Sequence, residues 1–145
     1  MADSYPENCI RGISRSEGIT QEGTVGTPSF YFSGLPRGDG WKEESINWQD
    51  DGNAIEFTLA QEREDGSFQF RYGVAILPIR EVQRVGNWPT VAQGLAYERI
   101  ELEDNPYHGN LLLKDTVQKP QMLQIAATLA LASRLIRRNT ESQPD

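Results

Sequence analysis

The chain holds one histidine, His108, and one cysteine, Cys9, the two side-chain types whose ordinary chemistry reaches acid–base or nucleophilic work near neutral pH. His108 lies in the stretch EDNPYHGNLLL. There Glu103, Asp104 and Tyr107 stand near enough in sequence to orient an imidazole or exchange a proton with it. As a catalytic set, His108 would be the general acid or base, Asp104 or Glu103 its orienting carboxylate and Tyr107 a hydrogen-bond donor. The same residues have a simpler reading. Asn105-Pro106 and His108-Gly109 are turn chemistry, with Gly109 free to take a positive φ and Asn105 able to cap its own turn. A structural or surface His108 at the start of a strand is therefore the favoured expectation.

Cys9 stands among apolar residues in NCIRGI, where a free thiol behaves as a small buried hydrophobe. A single cysteine excludes an internal disulfide and a cysteine-built zinc site, and a single histidine falls short of a typical mononuclear site. A Cys9–His108 dyad has no local nucleophile signature to support it.

Asp39, Glu43, Glu44, Asp50 and Asp51 crowd the segment around Trp41 and Trp48. Carboxylates suit hard cations, but the spaced calcium-loop pattern is missing, so no metal site is expected and these are read as solvated charges. Trp41 and Trp48 are candidate binding residues, because exposed tryptophans anchor interfaces. Arg37-Gly38-Asp39 is read as a glycine-rich turn. GLPRGDG lacks the lysine-serine/threonine ending and the strand-to-helix context of a phosphate-binding loop, and no dinucleotide fingerprint occurs, so no cofactor is expected.

A formal net charge of −7 argues against nucleic acid, whose binders carry a basic face. If a partner is charged, it is expected to be basic. The opening MADSYPEN lacks the basic and apolar regions of a secretory signal, and no apolar run approaches the ~20 residues that span a bilayer. The expected protein is soluble and cytoplasmic, without a membrane.

These side chains must be positioned by elements legible in the pattern. The 145 residues fit one domain, expected over 9–139, with polar, proline-containing tails at 1–8 and 140–145. Ile55, Phe57 and Leu59 alternate with polar or small neighbours, Asp65-Gly66 marks a turn, and Phe68, Phe70 and Tyr72 alternate again; this predicts a hairpin. SFYFSG and ESINWQDDGN read as shorter strands, and LAYERIELED should pair with NLLLKDTV. Ile79, Val82 and Val85 are spaced like a short helix, within a stretch that Pro89 and Gly94 make irregular. From Pro120 to about Asn139 an alanine- and leucine-rich segment predicts a helix. Met122, Ile125, Leu129, Ala132 and Ile136 form its stripe, Leu131 and Leu135 lie outside that stripe, and Arg134, Arg137 and Arg138 suit the dipole at its end.

The expected fold is α+β, a curled, meander-like antiparallel sheet of about six strands packed on one long C-terminal helix. The helix is apolar over more than the arc one sheet can cover, so either the sheet curls round it or its remaining side meets another chain. The leading functional expectation is a non-enzymatic protein-binding or accessory domain, acting through that helix (Leu131, Leu135) and the acidic loop bearing Trp41 and Trp48, with self-association possible through the helix. The alternative is a small enzyme or small-ligand-binding protein with its site near His108 at the mouth of the sheet.

Overall fold

The computed structural model describes residues 5–138. Six strands form one antiparallel sheet: β1 (Asn8–Ile13), β2 (Trp41–Trp48), β3 (Gly73–Pro78), β4 (Leu95–Arg99), β5 (His108–Lys114) and β6 (Arg134–Arg137). Their order is β4-β5-β2-β1-β3-β6. Two neighbour pairs, β1–β2 and β4–β5, are consecutive along the chain as in a meander; the others join distant segments. The sheet is curled and unclosed. Three α-helices accompany it, α1 (Ala54–Ala60), α2 (Ile79–Gly86) and α3 (Lys119–Ala132). The expected α+β class with a C-terminal helix on a six-stranded antiparallel sheet is what the chain adopts.

Side chains alternate across a strand, so one sheet serves two cores. Cys9, Ile46, Trp48, Ala75, Leu77, Leu111 and Leu113 face the larger core, which α2 and α3 complete with Val82, Val85, Ile125 and Leu129. Ile10, Val74 and Ile76 face the opposite side, where α1 covers them with Ala54. β3 is apolar at nearly every position because both its faces are covered. The opposite face is covered only in part, and this leaves room for a cleft.

Several local expectations are corrected. Ala54–Ala60 is helical, not a strand. Its alternating Ile55, Phe57 and Leu59 hid an equally good four-residue spacing, in which Ala54 and Thr58 are buried while Ile55 and Leu59 pack beside them. The second arm of the expected hairpin is a turn, with one isolated bridge between Glu62 and Phe68. Phe70 lies over Gly12 of β1, where a Cβ would overlap its ring. SFYFSG is not a strand: Ser29 and Phe30 end a 3-10 turn (Thr27–Phe30), Phe30 is buried, and Phe32 reaches the larger core from the irregular stretch that follows.

The C-terminal helix stops at Ala132, well short of Asn139. After an extended Ser133 the chain becomes β6 and pairs with β3, Ala75 opposite Leu135 and Val74 opposite Ile136. The physical reason is that Leu135 and Ile136 are wanted on different faces: Leu135 packs on the larger core and Ile136 on the smaller. Adjacent residues serve two faces only in a strand. The arginines thus do not cap a helix. Arg138 donates instead to the carbonyls of Leu59 (2.6 Å) and Phe70 and stacks on Phe68 at 3.9 Å.

Two further expectations agree. Ile79, Val82 and Val85 are the buried side of α2, and β4 pairs with β5 through Tyr97 opposite Leu111. The segment read as an N-terminal tail joins the fold earlier, since Asn8 opens β1 and the Tyr5 ring packs 4.8 Å from that of Trp48. The expected tail 140–145 lies outside the described residues, and among those residues no helix is long and apolar enough to cross a membrane.

Candidate functional site: a polar cleft beside His108

The register places Ile10 opposite Asn47 and Asn47 opposite His108. These three side chains therefore line up across β1, β2 and β5 on the face that α1 covers in part. Around them the α1 C-terminus, the turn carrying Gln69 and Phe70, and the β4–β5 loop enclose a cleft of about 230 Å³. Asp104 and His108 both line it, as do Asn47, Thr58, Gln61 and Asn105.

His108 is half-buried, with Nδ1 3.0 Å from the carbonyl oxygen of Ile100. A carbonyl can only accept, so Nδ1 carries the proton, and Nε2 of the neutral ring is left as an acceptor. The turn reading of this residue and its membership of a cleft are compatible: the same β4–β5 turn that starts the strand fixes the ring.

Beneath His108 lies a buried amide network. Asn105 donates from Nδ2 to Asn47 Oδ1 at 2.8 Å, and Asn47 Nδ2 donates to Thr58 Oγ1 (2.8 Å) and Gln61 Oε1 (3.2 Å). Thr58 Oγ1 in turn donates a hydrogen bond to the carbonyl of Ala54. Asn105 Oδ1 accepts from the backbone N–H of Tyr107, which fixes the loop. Buried amides cost free energy unless paired, and these pairings satisfy them while tying β2, α1 and the β4–β5 loop together. Gln61 Nε2, Gln69, Ser45 and Asp104 are left lining the cleft without side-chain hydrogen bonds among the described residues.

The expected catalytic set is only partly assembled. Tyr107 turns away, donating to Asp51 at 3.1 Å and meeting Phe57 edge-on; loss of hydration and the bond to Asp51 raise its pKa. No hydrogen bond joins Asp104 to His108 among the described residues. The Cys9–His108 dyad is excluded by the strand alternation, because Cys9 faces the larger core. Burial pushes its thiol up to about 12, consistent with an inert hydrophobe.

The four expected binding residues do not form one surface. Trp48 is fully buried, packed against Tyr97 with its indole N–H on the Glu98 carbonyl. Trp41 is half-buried beside Lys114, whose ammonium lies 5.6 Å from its ring centre. Leu135 is half-buried in β6, and Leu131 alone is strongly exposed, at 88%. The acidic segment is paired rather than free: Asp39 and Glu43 share Arg37 with Glu98, Glu44 binds Arg11, and Asp50 binds Arg99. Among the described residues no group of His, Cys, Asp or Glu is arranged to hold a metal ion.

A second cleft, of about 280 Å³, lies on the other face and includes Arg11, Arg15, Tyr31 and Glu44. Burial raises the Glu44 carboxyl in spite of Arg11 beside it. Arg11 spends its guanidinium on Glu44 and on the carbonyls of Ser29 and Ser45, which gives it a structural role.

Sequence reasoning missed Asn47, Thr58 and Gln61, and read Asn105 as the cap of its own turn, which it is, without its bond to Asn47. The one available signal was Asn47 itself, a polar residue between Ile46 and Trp48. No family model, curated protein or solved structure matches the chain.

Proposed function

We infer that the protein is a non-enzymatic module for binding a small molecule, held in the cleft beside His108. The supporting observation is the Asn105–Asn47–Thr58/Gln61 network. It fixes the cleft walls before any ligand arrives, so little ordering entropy is lost on binding. His108 is then a hydrogen-bonding group rather than a proton-transfer catalyst, since neither Asp104 nor Tyr107 orients it. Ligand-observed NMR against a diverse fragment set tests this, with Ser45→Trp as a variant that fills the cleft from an exposed strand position. Fragments bound by the wild type and lost from the folded variant are expected. A set of fragments bound equally by both would overturn the reading.

A second reading, association with another protein or a second copy through α3, is favoured by one observation. Leu123 and Leu131 are 46% and 88% exposed and, with Ala127 between them, form one ridge on the helix. Trp41, which opens β2 rather than lying in a loop, is the remaining candidate of the acidic segment. If Leu131→Glu leaves sedimentation and partner capture unchanged, this reading falls. Neither reading involves nucleic acid, given the charge of −7. The lone buried Cys9 accords with a reducing, cytoplasmic location.

A further inference from the structure

We propose that the cleft beside His108 recognises a neutral, polyhydroxylated ring with the chemistry of a single pyranose sugar; this rests on the small-molecule reading above. Charge narrows the ligand first. Neither lysine nor arginine lines the cleft, and Asp104 is its one carboxylate. An anion would meet that carboxylate and a net charge of −7 with no cation to pair with it. A metal ion would need several oxygen ligands of high charge, and a lone exposed carboxylate does not supply them. An ammonium group would gain one exposed ion pair, of small worth in water.

Hydrogen-bond capacity narrows it next. The cleft offers acceptors at His108 Nε2 and Asp104, a donor at Gln61 Nε2, and groups that both donate and accept at Ser45 and Gln69. A hydroxyl is the ligand group that can donate to one neighbour and accept from the next, and several hydroxyls on one ring would meet such a mixed lining.

Shape completes the choice. Phe70 lies over Gly12, and with the exposed Leu102 it gives the cleft an apolar side among the amides. A pyranose has the matching anatomy, with C–H groups on its faces and hydroxyls around its edge. At about 230 Å³ the cleft is smaller than the roughly 300–1,000 Å³ typical of sites for larger ligands, and suits one ring rather than a chain.

The test is protein-observed NMR of the whole chain, following the side-chain amides of Gln61, Gln69 and Asn105 and the ring protons of His108. D-glucose, D-galactose, D-mannose and N-acetyl-D-glucosamine are titrated separately to about 50 mM, far above a Kd of ~1 mM. Inorganic phosphate, acetate and methylammonium are titrated in parallel. Saturable shifts at these groups with at least one sugar and none of the ions are expected. Gln69→Leu, at an exposed position without side-chain hydrogen bonds among the described residues, should weaken that sugar about fivefold, as loss of one hydrogen bond would. Shifts with an ion but no sugar would overturn the sugar assignment and leave the small-molecule reading standing. Silence with every sugar also overturns it, and the fragment comparison with Ser45→Trp then decides the broader reading separately.

Discussion

Asn105 Nδ2 sits 2.8 Å from Asn47 Oδ1, a buried amide-to-amide hydrogen bond between the β4–β5 loop and the middle of the sheet. Asn47 in turn holds Thr58 and Gln61 of the α1 region, so one side chain anchors both walls of the cleft. Asn47→Ala should destabilise the protein by about 1–3 kcal/mol, since it strands buried partners without replacing their bonds. Urea denaturation measures this. A change below about 0.5 kcal/mol would mean that the network does not hold the walls.

Gly12 and Phe70 form a steric pair. Gly12→Ala places a methyl group where the Phe70 ring lies and should cost about 1–3 kcal/mol of stability. In the Phe70→Ala background the same substitution should be nearly neutral. A double-mutant cycle with no coupling would show that the ring does not rest on this strand.

Leu131, Leu135 and Ile136 differ sharply in what they touch, although only a few residues separate them. Leu131→Asp, on the exposed side of α3, should change stability by no more than about 0.5 kcal/mol. Leu135→Asp and Ile136→Asp each bring a charge towards one of the two cores and should each cost more than about 2 kcal/mol. Small effects at Leu131 and Leu135 with a large one at Ile136 alone would restore a helix running through residue 136. Thermal or chemical denaturation of the three variants supplies the comparison.

Burial holds the Cys9 thiol neutral, with its pKa raised from an ordinary 9.0 to about 12. Above pH 9 the unfolded chain releases this proton while the folded chain retains it, so stability should fall as pH rises from about 9 towards 12. The fall should be smaller in Cys9→Ala, which has no such proton. In the native state Cys9 should also resist a thiol reagent at pH 8, and react at once in denaturant; rapid native labelling would contradict its burial.

The α+β class was legible because LAYERIELED and NLLLKDTV read as paired strands and α3 lacks charge through its centre, although the two clearest alternating segments, Ile55 to Leu59 and Phe68 to Tyr72, proved to be a helix and a turn. β4 and β5 announced each other through the turn at Asn105-Pro106, whereas Gly109, expected in that turn, is paired inside β5. What misled were short segments that fit two periods. Ile55, Phe57 and Leu59 satisfy a strand, yet Ala54 and Thr58 satisfy a helix equally well over so few residues. Leu135 and Ile136 looked like the continuation of a helix because nothing local records that β3 has a free edge for them. The cleft was half legible, since His108 and Asp104 drew notice as the residues with chemistry. Asn47, Thr58 and Gln61 did not, and Asn105 drew notice only as a turn cap, because the value of such a polar side chain depends on partners brought from far along the chain.

The place of β6 has a consequence for the order in which the fold can be completed. During synthesis β1 emerges early, but its partner β3 follows some sixty residues later, and β3 in turn remains an exposed edge until Ile136 has left the ribosome. Such distant pairings delay folding and leave intermediates with uncovered apolar strands. Until then Val74 and Ile76 lack the strand that flanks them, and Arg138 cannot reach the carbonyls of Leu59 and of Phe70, the latter a residue that lines the cleft. The nascent chain therefore completes the wall of its cleft among the last of its tertiary contacts.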